Sequence, residues 1–160
     1  MLAMKPFVFL LLTFVAFSVA SAEPMVIIVR HAEKAANDPT DPDLSPAGQK
    51  RAEALAQMLK DAHISAIFTS ELKRTQETAA PLTKLIGVAP TVVPAKDYAT
   101  LVSKLHQTQG AALVVGHGNT IPDVLKALGI DTPVQIPEDD YTELFVVALQ
   151  DKPQLLRLHY

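Results

Sequence analysis

The 160-residue sequence has no cysteine, no tryptophan and no run of lysine or arginine. Without cysteine, the chain can form no disulfide bond and can carry no lipid on a thiol. Aromatic residues make up only 6% of the chain, so a stacking platform for bases or sugars is not evident. The net charge of −3, without a basic cluster, argues against a nucleic-acid partner. The content of 49% hydrophobic and 19% charged residues is typical of a globular protein.

Residues 1–22 have the pattern of a secretory signal peptide. A single lysine precedes an apolar run over residues 7–17, and the sequence Ala-Ser-Ala at 20–22 matches a cleavage site. The run is shorter than the roughly 20 residues of a membrane-spanning helix, which favours cleavage over an uncleaved anchor. We therefore expect residues 23–160 to form a single exported domain, with no stable membrane insertion after cleavage. Export without disulfide bonds favours a periplasmic protein, with secretion as the alternative.

Two short apolar runs, over residues 26–29 and 112–115, each lead into a polar segment that contains a histidine. Arg30 and His31 follow the first run, and His117 follows the second. Such runs are typical of strands buried within a parallel sheet. Because ligands of open α/β sheets bind just beyond the carboxyl ends of the strands, we expect the two histidines to meet at one edge of the sheet.

The rest of the sequence alternates between short apolar strands and amphipathic helices. One helix is predicted from Pro46, with Ser45 as its N-cap. Another is predicted after Ser70, and Pro81 is expected to kink or restart it. The two C-terminal strands are predicted to pair as an antiparallel hairpin. This alternation predicts an α/β protein, a three-layer α/β/α sandwich with a mixed, mostly parallel central sheet.

The polar residues near the predicted strand ends favour phosphoryl chemistry. Arg30, His31, Arg74 and His117 can converge on one cleft, where they form a cationic site in an acidic protein. Guanidinium groups match phosphoryl oxygens in bidentate fashion, and a neutral imidazole can attack phosphorus to form a covalent intermediate. The helix predicted after Asn119 would add backbone N–H groups and a favourable dipole.

Four motifs contain these residues and their neighbours. They are RHAE at residues 30–33, LSPAG at 44–48, TSELKRTQETA at 69–79 and VGHGNT at 115–120. In type and order they resemble the motifs of the histidine phosphatase superfamily, also called phosphoglycerate mutase-like. The motifs span nearly all of the predicted mature domain, which is identified as a small exported member of that family.

The resemblance implies a metal-independent reaction without a cofactor. His31 would attack phosphorus and become a phosphohistidine, while Arg30, Arg74 and His117 would hold the phosphoryl oxygens and stabilise the transferred charge. Asn119 would add to phosphate binding. The other three histidines are interpreted as surface or partly buried residues without a catalytic role: His63, His106 and His159.

The sequence departs from the family pattern at three points. Ala32 replaces the usual glycine after the nucleophilic histidine, and the domain lacks the insertion that gives sugar-phosphate mutases their specificity. The general acid for the leaving group is also not obvious, because Glu77 is too close to the second arginine and Gly118 stands where some relatives have an acid. Glu33 is the first candidate because it is nearest to the nucleophile in sequence. The full set of candidate acids is Glu33, Asp97 and Asp123.

The sequence leaves three functions open. The first is an exported phosphoric monoester hydrolase of the histidine acid phosphatase type, acting on a small-molecule or glycan-linked phosphate. A phosphohistidine protein phosphatase is the second, favoured by the compact domain, although export argues against it. The third, supported by the missing acid, is a phosphate-binding domain without turnover.

Two loops, over residues 37–43 and 131–140, are expected to set specificity. The acids at 138–140 within the second loop are interpreted as a solvated segment that could contact a cationic part of a substrate. The predicted edge strands permit a dimer without requiring one, so the oligomeric state is left open.

Overall fold

The computed structural model describes residues 24–160, so the predicted signal peptide over 1–22 lies outside the described residues. Six strands and four helices alternate along this part of the chain. The strands are β1 Met25–Arg30, β2 Ile64–Thr69, β3 Pro90–Val92, β4 Ala111–Gly116, β5 Glu143–Ala148 and β6 Gln154–His159. The helices are α1 Pro46–Leu59, α2 Lys73–Ile86, α3 Tyr98–Gln107 and α4 Ile121–Ala127. Within residues 24–160, no helix is both long and apolar enough to cross a membrane.

The strands form one sheet in the order β3-β2-β4-β1-β5-β6. The first four in this order run parallel to one another, β5 pairs antiparallel with β1, and β6 pairs antiparallel with β5. Arg30 at the end of β1 lies in register with Gly116 at the end of β4. The predicted mixed, mostly parallel sheet is therefore confirmed.

Helices cover both faces of the sheet. Leu105 of α3 and Leu125 of α4 pack on one face, and Leu55 of α1 and Leu82 of α2 pack on the other. Full burial of each such side chain contributes about 1.5–3 kcal/mol to folding. Alternate residues of β1 enter the two cores, which explains why this strand is apolar without interruption. The predicted three-layer sandwich is confirmed.

The chain that follows β1 is fixed against the start of α1. Ser45 is the N-cap, and its Oγ accepts a hydrogen bond from the amide of Gly48 at 3.1 Å. The amide of Ser45 in turn donates to the carbonyl oxygen of Glu33 at 2.8 Å. A Cβ atom on Gly48 would lie 2.3 Å from that same carbonyl oxygen, so only glycine fits here. The LSPAG motif thus positions the segment that carries His31.

The start of the second helix differs from its sequence prediction. The N-cap of α2 is Leu72, without a side-chain cap, and the hydroxyl of Ser70 accepts from the amide of Leu72 at 3.3 Å and contacts His117. Pro81 lies within a continuous α2, so the expected restart does not occur. Ala79 and Leu82, on either side of this proline, are fully buried in the core shared with α1, which holds the helix in place.

Candidate active site

The two predicted histidines lie together at the carboxyl ends of β1 and β4. Their ring centroids are 5.3 Å apart and their planes cross at 61°. The amide of His31 donates to the carbonyl oxygen of Gly116 at 2.9 Å, which extends the pairing of β1 and β4 by one residue. His31 is 3% exposed and His117 is 6% exposed, so both rings form the floor of a site rather than a surface patch.

An open cavity of about 330 Å³ lies above these strand ends. All the core residues predicted from the sequence line it: Arg30, His31, Arg74, His117 and Asn119. The remaining lining residues are Lys34, Gly118, Ile136 and Glu138. The volume falls within the range of small-molecule pockets, and the two arginines and Lys34 favour an anionic occupant.

His31 has a defined tautomer. Its Nδ1 lies 2.8 Å from the carbonyl oxygen of Ala32, and Nδ1 must carry the proton because a carbonyl only accepts. The lone pair of the neutral ring is therefore on Nε2. Burial lowers the pKa of His31 to about 3, and the positive charges of Arg74 and Arg30 act in the same direction. The ring is thus neutral at mildly acidic and neutral pH, as a nucleophile requires.

Ala32, which replaces the usual glycine of the family pattern, does not obstruct the cavity. Its side chain is fully buried in a small cluster with Leu44 and Ala52, on the side of α1. Its amide donates to Thr78 Oγ1 at 2.9 Å, which fixes the backbone next to the nucleophile. The additional methyl group is therefore accommodated by the core.

His117 is positioned by buried hydroxyl groups. Its Nε2 lies 2.9 Å from Ser70 Oγ, which lies 3.0 Å from Thr75 Oγ1. Burial lowers the pKa of His117 to about 4, and the positive charge of Arg74 also lowers it. The sequence predicted that Ser70 caps a helix and did not predict this contact. Residues 69–75 carry no local signal for a partner such as His117, which follows a different strand, β4.

Arg30 connects the site to the loop that precedes β5. Its Nη1 donates to the carbonyl oxygens of Pro137, Glu138 and Asp140 at 3.0, 2.8 and 2.9 Å. Its guanidinium carbon lies 4.2 Å from the ring centroid of Tyr141, a cation–π contact. Glu138 and Asp139 are exposed, in agreement with the interpretation of residues 138–140 as a solvated segment, but the carbonyl groups of Glu138 and Asp140 are bound to Arg30.

Arg30 and Arg74 each also have a buried guanidinium nitrogen without a partner among the described residues. Within residues 24–160, Nε of Arg30 and Nε of Arg74 are buried and make no hydrogen bond. Burying an unpaired N–H group is costly, so an anion that reaches the two arginines would be favoured. Gly118 lies beside Arg30, since a Cβ atom there would be 3.4 Å from Nε of Arg30.

Glu33, the first candidate acid, is not placed with the other site residues. Its carboxylate accepts hydrogen bonds from Arg51 Nε at 2.9 Å and Arg51 Nη2 at 2.7 Å, and Glu33 does not line the cavity. Partial burial alone would raise the pKa of Glu33, but the hydrogen bonds and charge of Arg51 lower it below its usual value. Both features disfavour proton donation.

The other two candidate acids also lie outside this cavity. Asp97 is the N-cap of α3 and accepts from the amide of Thr100 at 3.1 Å. Asp123 accepts from the hydroxyl of Tyr98 at 3.1 Å. Glu138, from the loop whose backbone binds Arg30, is the one residue with a carboxyl group among the described lining residues.

A family model described as "Histidine phosphatase superfamily (branch 1)" matches residues 26–97. The chain belongs to the histidine phosphatase superfamily. PE-PGRS family protein PE_PGRS11 of Mycobacterium tuberculosis is 41% identical over 76 residues, which are 46% of this chain and 13% of that protein. Phosphoserine phosphatase 1 of Hydrogenobacter thermophilus is 47% identical over 60 residues, which are 34% of this chain and 28% of that protein. The chain therefore aligns with less than a third of the length of either relative.

Solved structures share this superfamily fold over nearly their whole length. The protein histidine phosphatase SixA in complex with tungstate has a TM-score of 0.70 at 18% identity, covering 84% of this chain and 96% of that one. A mycobacterial glucosyl-3-phosphoglycerate phosphatase in complex with VO3 has a TM-score of 0.67 at 17% identity, covering 84% and 97%. At these identities the likeness establishes the fold.

A second cavity, of about 390 Å³, adjoins the first on the side of α3. The two cavities share Arg74, His117 and Asn119. Glu71 and Asp97 line only the second, and Glu71 Oε2 accepts a hydrogen bond from the amide of Ala95 at 2.9 Å. Two loops were predicted to set specificity. The loop over residues 131–140 contributes Ile136 and Glu138 to the first cavity. The loop over residues 37–43 contributes Asp41, which forms an ion pair with Arg74 at 3.7 Å.

Within residues 24–160, one group of side chains has the chemistry of a metal site, and it lies outside both cavities. Asp140, Glu143 and His159 offer ligand atoms within 4.8 Å of one another. Arg157 already pairs with the carboxylate of Glu143, and the hydroxyl of Thr142 bonds to both Asp140 and His159. These internal partners account for the group as an ion-pair and hydrogen-bond network on β5 and β6.

Proposed function

We propose that the protein is an exported, metal-independent phosphomonoesterase that works through a phosphohistidine intermediate. The observation that carries this proposal is the position of His31. Nδ1 of this neutral, buried imidazole is held by a carbonyl oxygen, which leaves the lone pair on Nε2, and the ring lines one cavity with Arg30 and Arg74. Because these groups are already in place, they stabilise the charge that develops during phosphoryl transfer without having to reorganise.

The reaction has two steps. In the first, the lone pair of His31 Nε2 forms a bond to phosphorus, and the bond between phosphorus and the leaving oxygen breaks with its electron pair on that oxygen. In the second, water attacks phosphorus and the P–N bond breaks, returning its electron pair to Nε2 and releasing phosphate. Arg30 and Arg74 hold the phosphoryl oxygens throughout, and His117, fixed by Ser70, bonds to the same group.

Export and substrate class are part of the proposal. The pattern of residues 1–22 supports export, and the open cavity with its adjoining second cavity supports a small-molecule or glycan-linked phosphate. Cell fractionation and the N-terminal sequence of the purified protein test export. Retention of an intact N-terminus in the cytoplasm would contradict it.

A phosphohistidine protein phosphatase is the second candidate. None of the three acids predicted from the sequence lines the cavity, and transfer between two imidazoles needs little help from an acid because the two nitrogens are chemically alike. SixA, whose structure carries the name of a protein histidine phosphatase, shares the fold. The two candidates are separated by comparing hydrolysis of phosphoimidazole with hydrolysis of phosphate esters.

The proposal is tested with nitrophenyl phosphate in the presence of a chelator. We expect turnover by the wild-type protein and a loss of at least about 1,000-fold in His31→Ala, because removal of a nucleophile eliminates the covalent route. His106→Ala, which changes an exposed histidine on α3, is the matched control and should retain activity. After a rapid quench, labelled phosphate should be found on His31. Binding of phosphate without turnover would instead identify a phosphate-binding domain.

A further inference from the structure

The proposed reaction lacks an assigned proton donor. When an alkyl phosphate transfers its phosphoryl group, the leaving oxygen becomes a strongly basic alkoxide unless it is protonated during the step. Glu33 is bound by Arg51, Asp97 caps α3, and Asp123 accepts from Tyr98. The donor must therefore be sought among the residues that line the cavity of His31.

Glu138 meets the positional requirement. It lines this cavity together with both histidines and both arginines, and it carries the one carboxyl group among the described lining residues. Its backbone is anchored, because its carbonyl oxygen accepts from Arg30 Nη1 at 2.8 Å between the similar contacts of Pro137 and Asp140. Its carboxyl group makes no hydrogen bond or ion pair within residues 24–160, so no internal partner holds it away from a substrate.

The direction of the reaction also favours this residue. Phosphoryl transfer is in line, so the leaving group departs from the side of phosphorus opposite the nucleophile. His31 is buried at the floor of the cavity, whereas Glu138 is exposed at its rim. A phosphoryl group seated over Nε2 of His31 therefore directs its leaving group toward the rim on which Glu138 lies.

We propose that Glu138 is the general acid for the leaving group, an assignment that rests on the proposed phosphatase function. In the first step its protonated carboxyl group gives a proton to the leaving oxygen as the P–O bond breaks. In the second step the resulting carboxylate accepts a proton from the attacking water, while the P–N bond breaks and its electron pair returns to His31. The acid is thus restored at the end of each cycle.

The test compares Glu138→Gln with the wild-type protein on esters with leaving groups of increasing basicity. Nitrophenyl phosphate represents a leaving group that needs no proton, phenyl phosphate is intermediate, and glycerol phosphate represents an alkoxide. We expect kcat/KM for glycerol phosphate to fall by about 100-fold or more, and kcat/KM for nitrophenyl phosphate to change by less than about threefold, because kcat/KM reports the first step and is insensitive to hydrolysis of the phosphohistidine. The value of kcat/KM for phosphoimidazole should likewise be little affected.

Asp139→Asn is the matched control, since it removes the neighbouring exposed carboxyl group, which lies outside both cavities. It should preserve the wild-type dependence on the leaving group. Glu138→Asp should restore part of the activity on glycerol phosphate, because it restores a proton donor.

The outcomes separate failure of this assignment from failure of the proposed function. An equal loss of kcat/KM on all esters, or no loss on any, would overturn the role of Glu138 while leaving a phosphatase that depends on His31. If the wild-type protein hydrolysed nitrophenyl phosphate but no alkyl ester, the role of Glu138 would also be overturned, because no group would then protonate the leaving oxygen. Absence of all turnover, with His31→Ala indistinguishable from wild type, would instead overturn the function.

Discussion

Replacement of Gly48 by alanine tests whether the LSPAG motif positions the nucleophile. In most helices this change stabilises the protein by about 1 kcal/mol, because alanine is the better helix former. At Gly48 the new methyl group would lie 2.3 Å from the carbonyl oxygen of Glu33 and 3.0 Å from its amide nitrogen. Both are backbone atoms, which cannot rotate away as a side chain can.

The clash requires either α1 or the segment after His31 to move by about 1 Å. Such overpacking costs about 1–3 kcal/mol. The movement would also strain the hydrogen bond from the amide of Ser45 to Glu33, whose loss costs about 1 kcal/mol. After the gain in helix propensity is subtracted, we expect the free energy of unfolding of Gly48→Ala to fall by about 1–3 kcal/mol.

Urea unfolding followed by circular dichroism measures this change. Gln49→Ala, at the next and exposed position of α1, is the control and should stay within about 0.5 kcal/mol of wild type. Because His31 lies two residues before Glu33, kcat of Gly48→Ala should also fall, by up to about 100-fold for a shift of this size. A Gly48→Ala protein as stable and active as wild type would refute the role assigned to the motif.

Two further predictions concern titrating groups. The pKa values of His31 and His117 are lowered to about 3 and about 4 in the folded protein, against about 6.5 in the unfolded chain. Between these pH values the unfolded chain binds more protons than the folded protein does, so the free energy of unfolding must rise with pH. The free energy of unfolding should therefore fall between pH 7 and pH 5, by at most about 2 kcal/mol per histidine. The fall should be smaller in His31→Gln than in the wild-type protein. An equal fall in the wild type and in His31→Gln would contradict the lowered pKa of His31. Glu33→Gln should retain the wild-type dependence on the leaving group in steady-state kinetics, because its carboxylate is bound by Arg51; a loss of about 100-fold confined to glycerol phosphate would restore Glu33 as the acid.

The sequence predicts the sheet and the convergence of histidines because both follow from local patterns. Two continuous apolar runs specify strands buried on both faces, and parallel pairing of such strands brings the residues after them to one edge. The register of Arg30 with Gly116 is the direct result. Glu33 is close to His31 in sequence but does not line the cavity of His31. An antiparallel bridge between Lys34 and Leu44 places the chain after His31 beside α1, where Glu33 binds Arg51.

The loop before β5 could not be placed from the sequence because a distant residue fixes it. Residues 131–140 have neither strand nor helix periodicity, and three of their backbone carbonyl groups are bound by Arg30, more than 100 residues earlier in the chain. Nη1 of Arg30 thus orders the loop, and Arg30 also lines the cavity that we propose binds the phosphoryl group. The proposed phosphate binding and the placement of Glu138 therefore depend on the same side chain. Arg30→Lys keeps the positive charge but loses the planar guanidinium group. It should accordingly impair both the proposed phosphate binding and the placement of Glu138.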